Sequence, residues 1–561
     1  MSNDIPVHPN PQVYIDIAKT WIETCESHSS CPSVTRTRLP KRILDLGPHR
    51  LRNAISLVET KDNAYGRYMT LSHCWGGVHP ITTTKSTLRN RTISIRMSQL
   101  PQTFRDAAFV CRGLGVRYLW IDSLCILQDD RLDWEQESAK MAAIYTGSYL
   151  NIAATHARSS VEGCFSSRWA EVDVNMSSRA FPIRSYECKE TVRGQEYTVH
   201  VRLSLDRGHN DFRVGMGTQK YRRRAPLFSR AWVFQERCLA PRTLHFHANE
   251  LIWECKTAVR CECKGIDVIE RSQEWYRGWN AMHLEMEVAN FNFQELADLW
   301  LEVVTSFSAL SLSHESDRLP ALSGIASRFQ GSLLKTYVAG LWQEDLVRGL
   351  LWYVGFTWIS ASKRPLPLRA PTWSWASIIL NKELDSIFYP FLLGTDSVFH
   401  QEPSFQVLEA RCNSSSVNPF GEVSGGVLLL RSSFNSAILT VRKRSRPFME
   451  LILDSDIEES DLVLVSVGKM YADVTMSESE SDEELSSPSR NVKCLFIGSS
   501  PAGSRDDSRW ETDYGVVIES ATSPEGIYER VGFIQTMRKI GVRVSYENWF
   551  SRTEVGVFTL K

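Results

Sequence analysis

The sequence predicts an α/β protein: a mainly parallel sheet with flanking helices, followed by a helical region and a β-rich C-terminal region. Three observations carry that expectation. From residue 68 to residue 154, strand-like and helix-like segments alternate, the pattern of a layered parallel sheet. The segment 118–126, YLWIDSLCI, is apolar almost throughout, as expected of a strand covered on both faces. From about residue 400 the apolar pattern turns β-like, as in 426–431 and 462–467.

Residues 1–66 read as an N-terminal leader. Within them, Tyr14 to Cys25 has helical apolar spacing through Ile15, Ala18, Trp21 and Ile22. Cys25 and Cys31 lie here, with no His or Cys following at ligand spacing. The first domain is expected over 67–256. Its first strand is Tyr68 to Ser72, which runs into His73, Cys74, Trp75, Gly76 and Gly77; a Gly pair after a strand makes a tight turn. A helix follows over 100–113, with apolar residues at 100, 104, 107, 108 and 111, and Gly113 and Gly115 stop it. After the strand 118–126, Asp133 is expected to cap a helix that ends at Gly147, and Tyr149 to Ala154 is the next strand. Parallel sheets bind ligands beyond the carboxyl ends of their strands, which places Ser72–Gly77 and Asp122–Cys125 on the candidate face.

Residues 156–225 are less periodic and read as an insertion, with a strand at 197–205 and a loop over 206–224. Residues 243–255 read as a hairpin turning at Ala248-Asn249. Leu244 and Phe246 then face Leu251 and Trp253, while His245 and His247 point to the other side. Cys255 shares the Leu251/Trp253 face, so the two His and Cys255 do not converge on a metal. Cys255, Cys261 and Cys263 lack a standard zinc spacing, and no metal or cofactor is expected, although sequence leaves these three open as thiols or ligands. Residues 257–380 are read as a helical region, with helices at 293–307, 319–330 and 341–353. PTWSWAS (371–377) reads as a strand whose two indoles share a face. Residues 381–561 form the β-rich region, with strands at 492–497, 514–518 and 531–535. The acidic, Ser-rich segment 475–492 inside it is too polar to bury a core and is expected to be disordered.

Composition narrows the function. With 561 residues the chain exceeds one core. Its formal net charge of −1 supplies no global field toward nucleic acid or an anionic membrane. The basic runs at Arg222–Arg224 and around Arg442 read as solvated surface. No apolar run approaches the roughly 20 residues of a membrane span. Thirteen scattered Cys and an N-terminus without a basic-then-apolar signal read as a cytoplasmic protein with free thiols.

The stretch 226–255, PLFSRAWVFQERCLAPRTLHFHANELIWEC, carries the candidate chemistry. Trp232 and Glu236 are four apart, on one helix face, and a carboxylate beside an indole loses water and shifts its pKa upward. The same residues also fit a structural carboxylate paired with Arg230 or Arg237. Cys74 beside His73 cannot form a nucleophile and base pair on a strand, where neighbours point to opposite faces, whereas a turn leaves a Cys hydrolase open as a third reading.

Four blocks resemble the fungal heterokaryon incompatibility (HET) domain: YMTLSHCWGG (68–77), LPQTFRDAAFVCRGLGVRYLWIDSLCILQDD (100–130), DWEQESAKMAAIYTGSYLNIAA (133–154) and FSRAWVFQERCLAPRTLHF (228–246). The segments 317–326, 337–342 and 371–377 resemble the region that often follows it. The resemblance implies non-self recognition between fungal cells and programmed cell death. The HET domain is in turn remotely similar to the Toll/interleukin-1 receptor (TIR) domain of innate immunity, a flavodoxin-like fold, and some TIR domains cleave NAD with a Glu set as Ser-x-x-Trp-x-x-x-Glu. Here that pattern is Ser229, Trp232 and Glu236; TIR domains often carry Cys after the Trp, where this chain has Val233.

Two functions follow. In the first, Glu236 is the catalytic group of an NAD glycohydrolase, facing the cation-like sugar that forms as nicotinamide leaves. Ser72, His73, Trp75, Gly76, Asp122 and Trp232 then bind the substrate, NAD being substrate rather than cofactor. In the second, the domain signals without catalysis, and Glu236 is a fold element. Under either, the expected partners are other incompatibility or signalling proteins and further copies of this chain on activation.

Overall fold

The computed structural model describes residues 10–33, 36–47, 53–77, 81–165, 186–192, 195–201, 209, 212, 225–267, 291–354, 364–365, 367–380, 386–393, 398–442, 448–453, 490–501, 510–521, 525–539 and 554–561. The chain divides into two compact units, Met1–Ala289 and Asn290–Lys561.

The first unit is built on a nine-stranded sheet. In chain order its strands are β1 (Arg42–Asp45), β2 (Ala54–Glu59), β3 (Tyr68–Ser72), β4 (Ile95–Arg96), β5 (Tyr118–Trp120), β6 (Leu150–Ala153), β7 (Arg242–Phe246), β8 (Leu251–Cys255) and β9 (Val259–Cys261). Their order across the sheet is β9-β8-β7-β6-β3-β5-β1-β2-β4. The pairs β7–β6, β6–β3 and β3–β5 are parallel. All the others are antiparallel.

The expectation of a mainly parallel sheet is therefore corrected to a mixed one: four central parallel strands with antiparallel flanks. The reason lies in the connections. Parallel neighbours need a crossover, and long connections supply it in the middle. On the flanks, β1–β2 and β7–β8–β9 are joined by links too short for a crossover. The 1–66 segment, expected as a leader, supplies α1 (Pro11–Glu26) together with β1 and β2. Strand β1 is held by Arg42, which donates to the Cys125 carbonyl (2.7 Å) and pairs with buried Asp133.

Helices cover both faces. On one lie α1 and α2 (Gln102–Gly113): Trp21 meets Trp253 at 6.3 Å between ring centroids, and Cys111 meets Met69 at 3.4 Å. On the other lie α5 (Met141–Thr146) and α6 (Ala231–Leu239): the Tyr68 hydroxyl donates to the Ile144 carbonyl at 2.6 Å. Residues 68, 70 and 72 of β3 face α5 and α6; 69 and 71 face α2.

Two sequence expectations change here and one holds. The strand 118–126 stops at Trp120, and Asp122 opens a helical turn, α3 (Asp122–Cys125). The next helix, α4 (Arg131–Ser138), is capped by Asp130, which accepts from the backbone N–H of Leu132 and Asp133. Asp133 lies inside it, facing Arg42 and Lys41. The β7–β8 register pairs Leu244 with Trp253 and Phe246 with Leu251, as the alternation required.

In the second unit, α7 (Phe293–Ser308) begins with a capping box of Asn292 and Glu295, and α8 spans Pro320–Phe329. The expected helix at 341–353 is instead a short strand pair, Tyr337–Val338 with Leu341–Trp342, a 3₁₀ turn and one helical turn. PTWSWAS is a 3₁₀ turn at Trp375–Ser377 rather than a strand. Trp300 and Trp375 both donate to the Gly340 carbonyl (3.1 and 3.0 Å). Trp375 thus needs no sheet: one carbonyl in a turn satisfies its indole together with that of Trp300.

Five long strands, Val423–Arg442, Arg490–Pro501, Trp510–Ser520, Ile527–Lys539 and Glu554–Leu560, pair in a closed ring. This barrel-like body contains the expected strands at 426–431, 492–497, 514–518 and 531–535. The expected strand 462–467, residues 475–489 of the acidic segment, the 222–224 basic run, and nearly all of the 206–224 loop lie outside the described residues.

Candidate functional site

Glu236 and Ser72 meet although 164 residues separate them in the chain. Ser72 is the last residue of β3, and the alternation of the strand turns its side chain toward α6. There its hydroxyl donates to the Glu236 carboxylate. Two neighbours aim it: Thr70 Oγ1 donates to Asn151 Oδ1 (3.0 Å), and Asn151 Nδ2 donates to Ser72 Oγ (3.0 Å). Asn151 Oδ1, at 3.2 Å, is a second acceptor within reach of the Ser72 hydroxyl, farther away than the Glu236 carboxylate. Tyr145, from α5, donates to the Leu71 carbonyl (3.5 Å), and its hydroxyl favours the ionised carboxylate.

Glu236 is 6% exposed. Burial pushes its pKa up to about 7; Asp122 adds to the rise, while the Ser72 and Tyr145 hydroxyls and the Arg230 guanidinium oppose it. Among the described residues no cation forms an ion pair with it. Of the two arginines the sequence offered as partners, Arg237 is bound to Glu254, with Nε to Oε2 at 2.6 Å, and lies over the Phe228 ring at 4.1 Å. Arg230 donates to the His73 carbonyl.

The loop after β3 supplies the next groups. His73 packs edge-on against Phe104 at 4.9 Å, and burial pulls its pKa down to about 4, so the imidazole is neutral near pH 7. Its Nε2 is buried without a hydrogen-bond partner among the described residues, and its Nδ1 stands 3.9 Å from Asp122. Asp122 accepts from Trp75 Nε1 at 3.0 Å and from its neighbour's N–H, that of Ser123, at 2.7 Å, and its side chain is 27% exposed. Gly76 has φ +76°, and a Cβ there would stand 2.3 Å from the Ser159 Cβ. Cys74 sits with Ala153, Leu227 and Val233 in an apolar cluster, and burial pushes its thiol up to about 11. A protonated thiol there is no nucleophile.

Of the residues chosen from sequence, Glu236, Ser72, His73, Trp75 and Asp122 fall into one group at the carboxyl ends of β3 and β5. Gly76 serves backbone packing against Ser159. Trp232 lies on the same helix but meets Trp134 edge-on at 6.2 Å, and Ser229 bonds back to the Pro226 carbonyl at 2.7 Å. Sequence reasoning missed Tyr145, Asn151 and Thr70 as members. Asn151 carried a readable signal: an amide inside the apolar strand YLNIAA must find partners when buried.

The class these features define is an α/β domain with a buried, hydrogen-bonded carboxylate set beyond the end of a central parallel strand. The family follows from comparison: residues 68–236 match the model of the family described as Heterokaryon incompatibility protein (HET). The match begins on the first residue of β3 and ends on Glu236 itself, so residues 68–236 carry a HET domain. No curated protein and no solved structure matches it. No helix among the described residues is long and apolar enough to cross a membrane.

Proposed function

We propose that this chain serves non-self recognition between fungal cells and triggers cell death by hydrolysing NAD at the bond between ribose and nicotinamide. The observation that supports this most is Glu236: buried, without an ion-pair partner among the described residues, and titrating near neutrality. In the reaction the C1′–N bond breaks and its electron pair leaves with neutral nicotinamide. Water adds to C1′, and a proton goes to solvent. The ionised carboxylate stabilises the sugar cation as it develops. Ser72, Tyr145 and Arg230 favour that ionised form, and neutral His73 offers an unused ring nitrogen to a ligand.

Purified full-length chain, alone and as an induced oligomer, is assayed for nicotinamide release from NAD. Glu236→Gln lowers the rate by roughly two orders of magnitude or more, the scale of losing one electrostatic stabiliser. In the wild type the rate climbs as pH passes about 7, because the carboxylate form is required. No NAD loss in either state, or equal rates in the variant, removes the proposal. A second reading, signalling without catalysis, draws on the 6% exposure of Glu236, which leaves little of it open to a substrate. On that reading Glu236→Gln still triggers death in cells.

A further inference from the structure

A second group of side chains lies on the opposite face of the sheet. Cys25 is the penultimate residue of α1. The chain then turns, with the His28 N–H on the Cys25 carbonyl (3.0 Å) and the Cys31 N–H on the His28 carbonyl (3.3 Å). That turn brings Cys25, His28 and Cys31 to one side. Cys255, the last residue of β8, meets them from the sheet, 227 residues after His28. The three Sγ atoms and one His nitrogen all lie within 4.8 Å of one another.

We propose that Cys25, His28, Cys31 and Cys255 bind a structural zinc ion that fastens the end of α1 to β8. The geometry fits that ion. With Zn–S of about 2.3 Å and Zn–N of about 2.05 Å in a tetrahedron, an N···S edge is about 3.55 Å. His28 Nδ1 stands 3.5 Å from Cys31 Sγ and 3.6 Å from Cys255 Sγ.

Arg242 carries the argument independently. It is 1% exposed. Its contacts are the Tyr149 and Pro32 carbonyls (3.3 and 2.9 Å), the Tyr149 ring, and Cys25 Sγ at 3.2 Å from its Nε. Among the described residues it has no carboxylate partner, and a buried guanidinium without an anion is costly. Three thiolates and one neutral imidazole around a divalent ion carry a net charge of −1, which Arg242 balances. The Ala258 N–H on Cys255 Sγ (3.3 Å) and the Thr257 hydroxyl near Cys31 Sγ (3.4 Å) suit thiolates rather than thiols. A disulfide among three cysteines leaves one thiol and His28 over, and gives Arg242 no anion.

Full-length protein made in zinc-supplemented medium and desalted against a weak chelator is analysed for zinc per chain by mass spectrometry. Cys31→Ala and Cys255→Ala each hold one zinc fewer than the wild type, whereas Cys412→Ala holds as many. Metal-edge absorption spectroscopy of the wild type gives a component with three sulfurs and one nitrogen. Should the Ala variants fold poorly, His28→Cys, which supplies a fourth thiolate, keeps the ion and changes that component to four sulfurs. A separate group, His209, Glu250, Cys261 and Cys263, lies within the same unit, so Cys261→Ala is measured in parallel. A wild type without zinc, a zinc content that falls with Cys261→Ala alone, or a disulfide joining any two of Cys25, Cys31 and Cys255 overturns the proposal.

Discussion

Replacing Glu236 by Gln separates the two readings of this carboxylate without any substrate. In the folded chain its pKa rises from an ordinary 4.5 to about 7, chiefly through burial. Below pH 4.5 the group is neutral whether folded or unfolded. Between 4.5 and about 7 the unfolded chain releases a proton that the folded chain retains, so stability falls as pH rises, and above about 7 the loss is complete. At about 1.36 kcal/mol per pH unit the loss is on the order of 3 kcal/mol. Gln is neutral throughout and nearly isosteric with the protonated acid, and its carbonyl can accept from Ser72. The variant therefore matches the wild type near pH 4.5 and exceeds it by about 3 kcal/mol at pH 8. For a unit of 289 residues that is a rise of roughly 5–10 °C in the corresponding transition. Scanning calorimetry of both full-length proteins at several pH values from 4.5 to 8 measures the gap. A gap that stays flat, or a variant less stable at pH 8, refutes the reasoning, because it means that the folded protein holds Glu236 as a paired anion.

Two other substitutions test the surroundings. Gly76→Ala places a Cβ 2.3 Å from that of Ser159 at φ +76°; the strain lowers stability by about 1–3 kcal/mol, and an unchanged unfolding midpoint counts against the tight approach. Glu254→Ala leaves Arg237 buried without its carboxylate and costs about 3–5 kcal/mol, read as a fall in the midpoint, whereas Glu135→Ala, which breaks an exposed-side pair with Arg131, changes it by less than about 1 kcal/mol.

Elements whose apolar spacing is long enough to count were legible. The strand Tyr68–Ser72 was placed to the residue, and the helix 102–113 to within two residues. The β7–β8 register followed from alternation alone. Strand β1 was not legible, because four residues beginning with a charge carry no period; only Asp133, supplied by a distant helix, makes Arg42 a buried residue. The candidate site was half legible. Position in a parallel layer picked out Ser72, His73 and Asp122, and the setting of Glu236 marked it as a carboxylate of raised pKa. Sequence could not show which groups meet the carboxylate, because Ser72 and Tyr145 come from elements remote in sequence. The same limit hid Cys255 from Cys25 and Cys31, between which His28 lies in the chain.

The nine-stranded sheet ends on very short strands, two residues in β4 and three in β9. An edge that brief offers few free amides and carbonyls to a neighbouring backbone. If copies of this domain gather, they cannot lengthen one another's sheets strand by strand; contact has to be made through helices and loops. That favours assemblies of definite size and easy reversal over open-ended fibres.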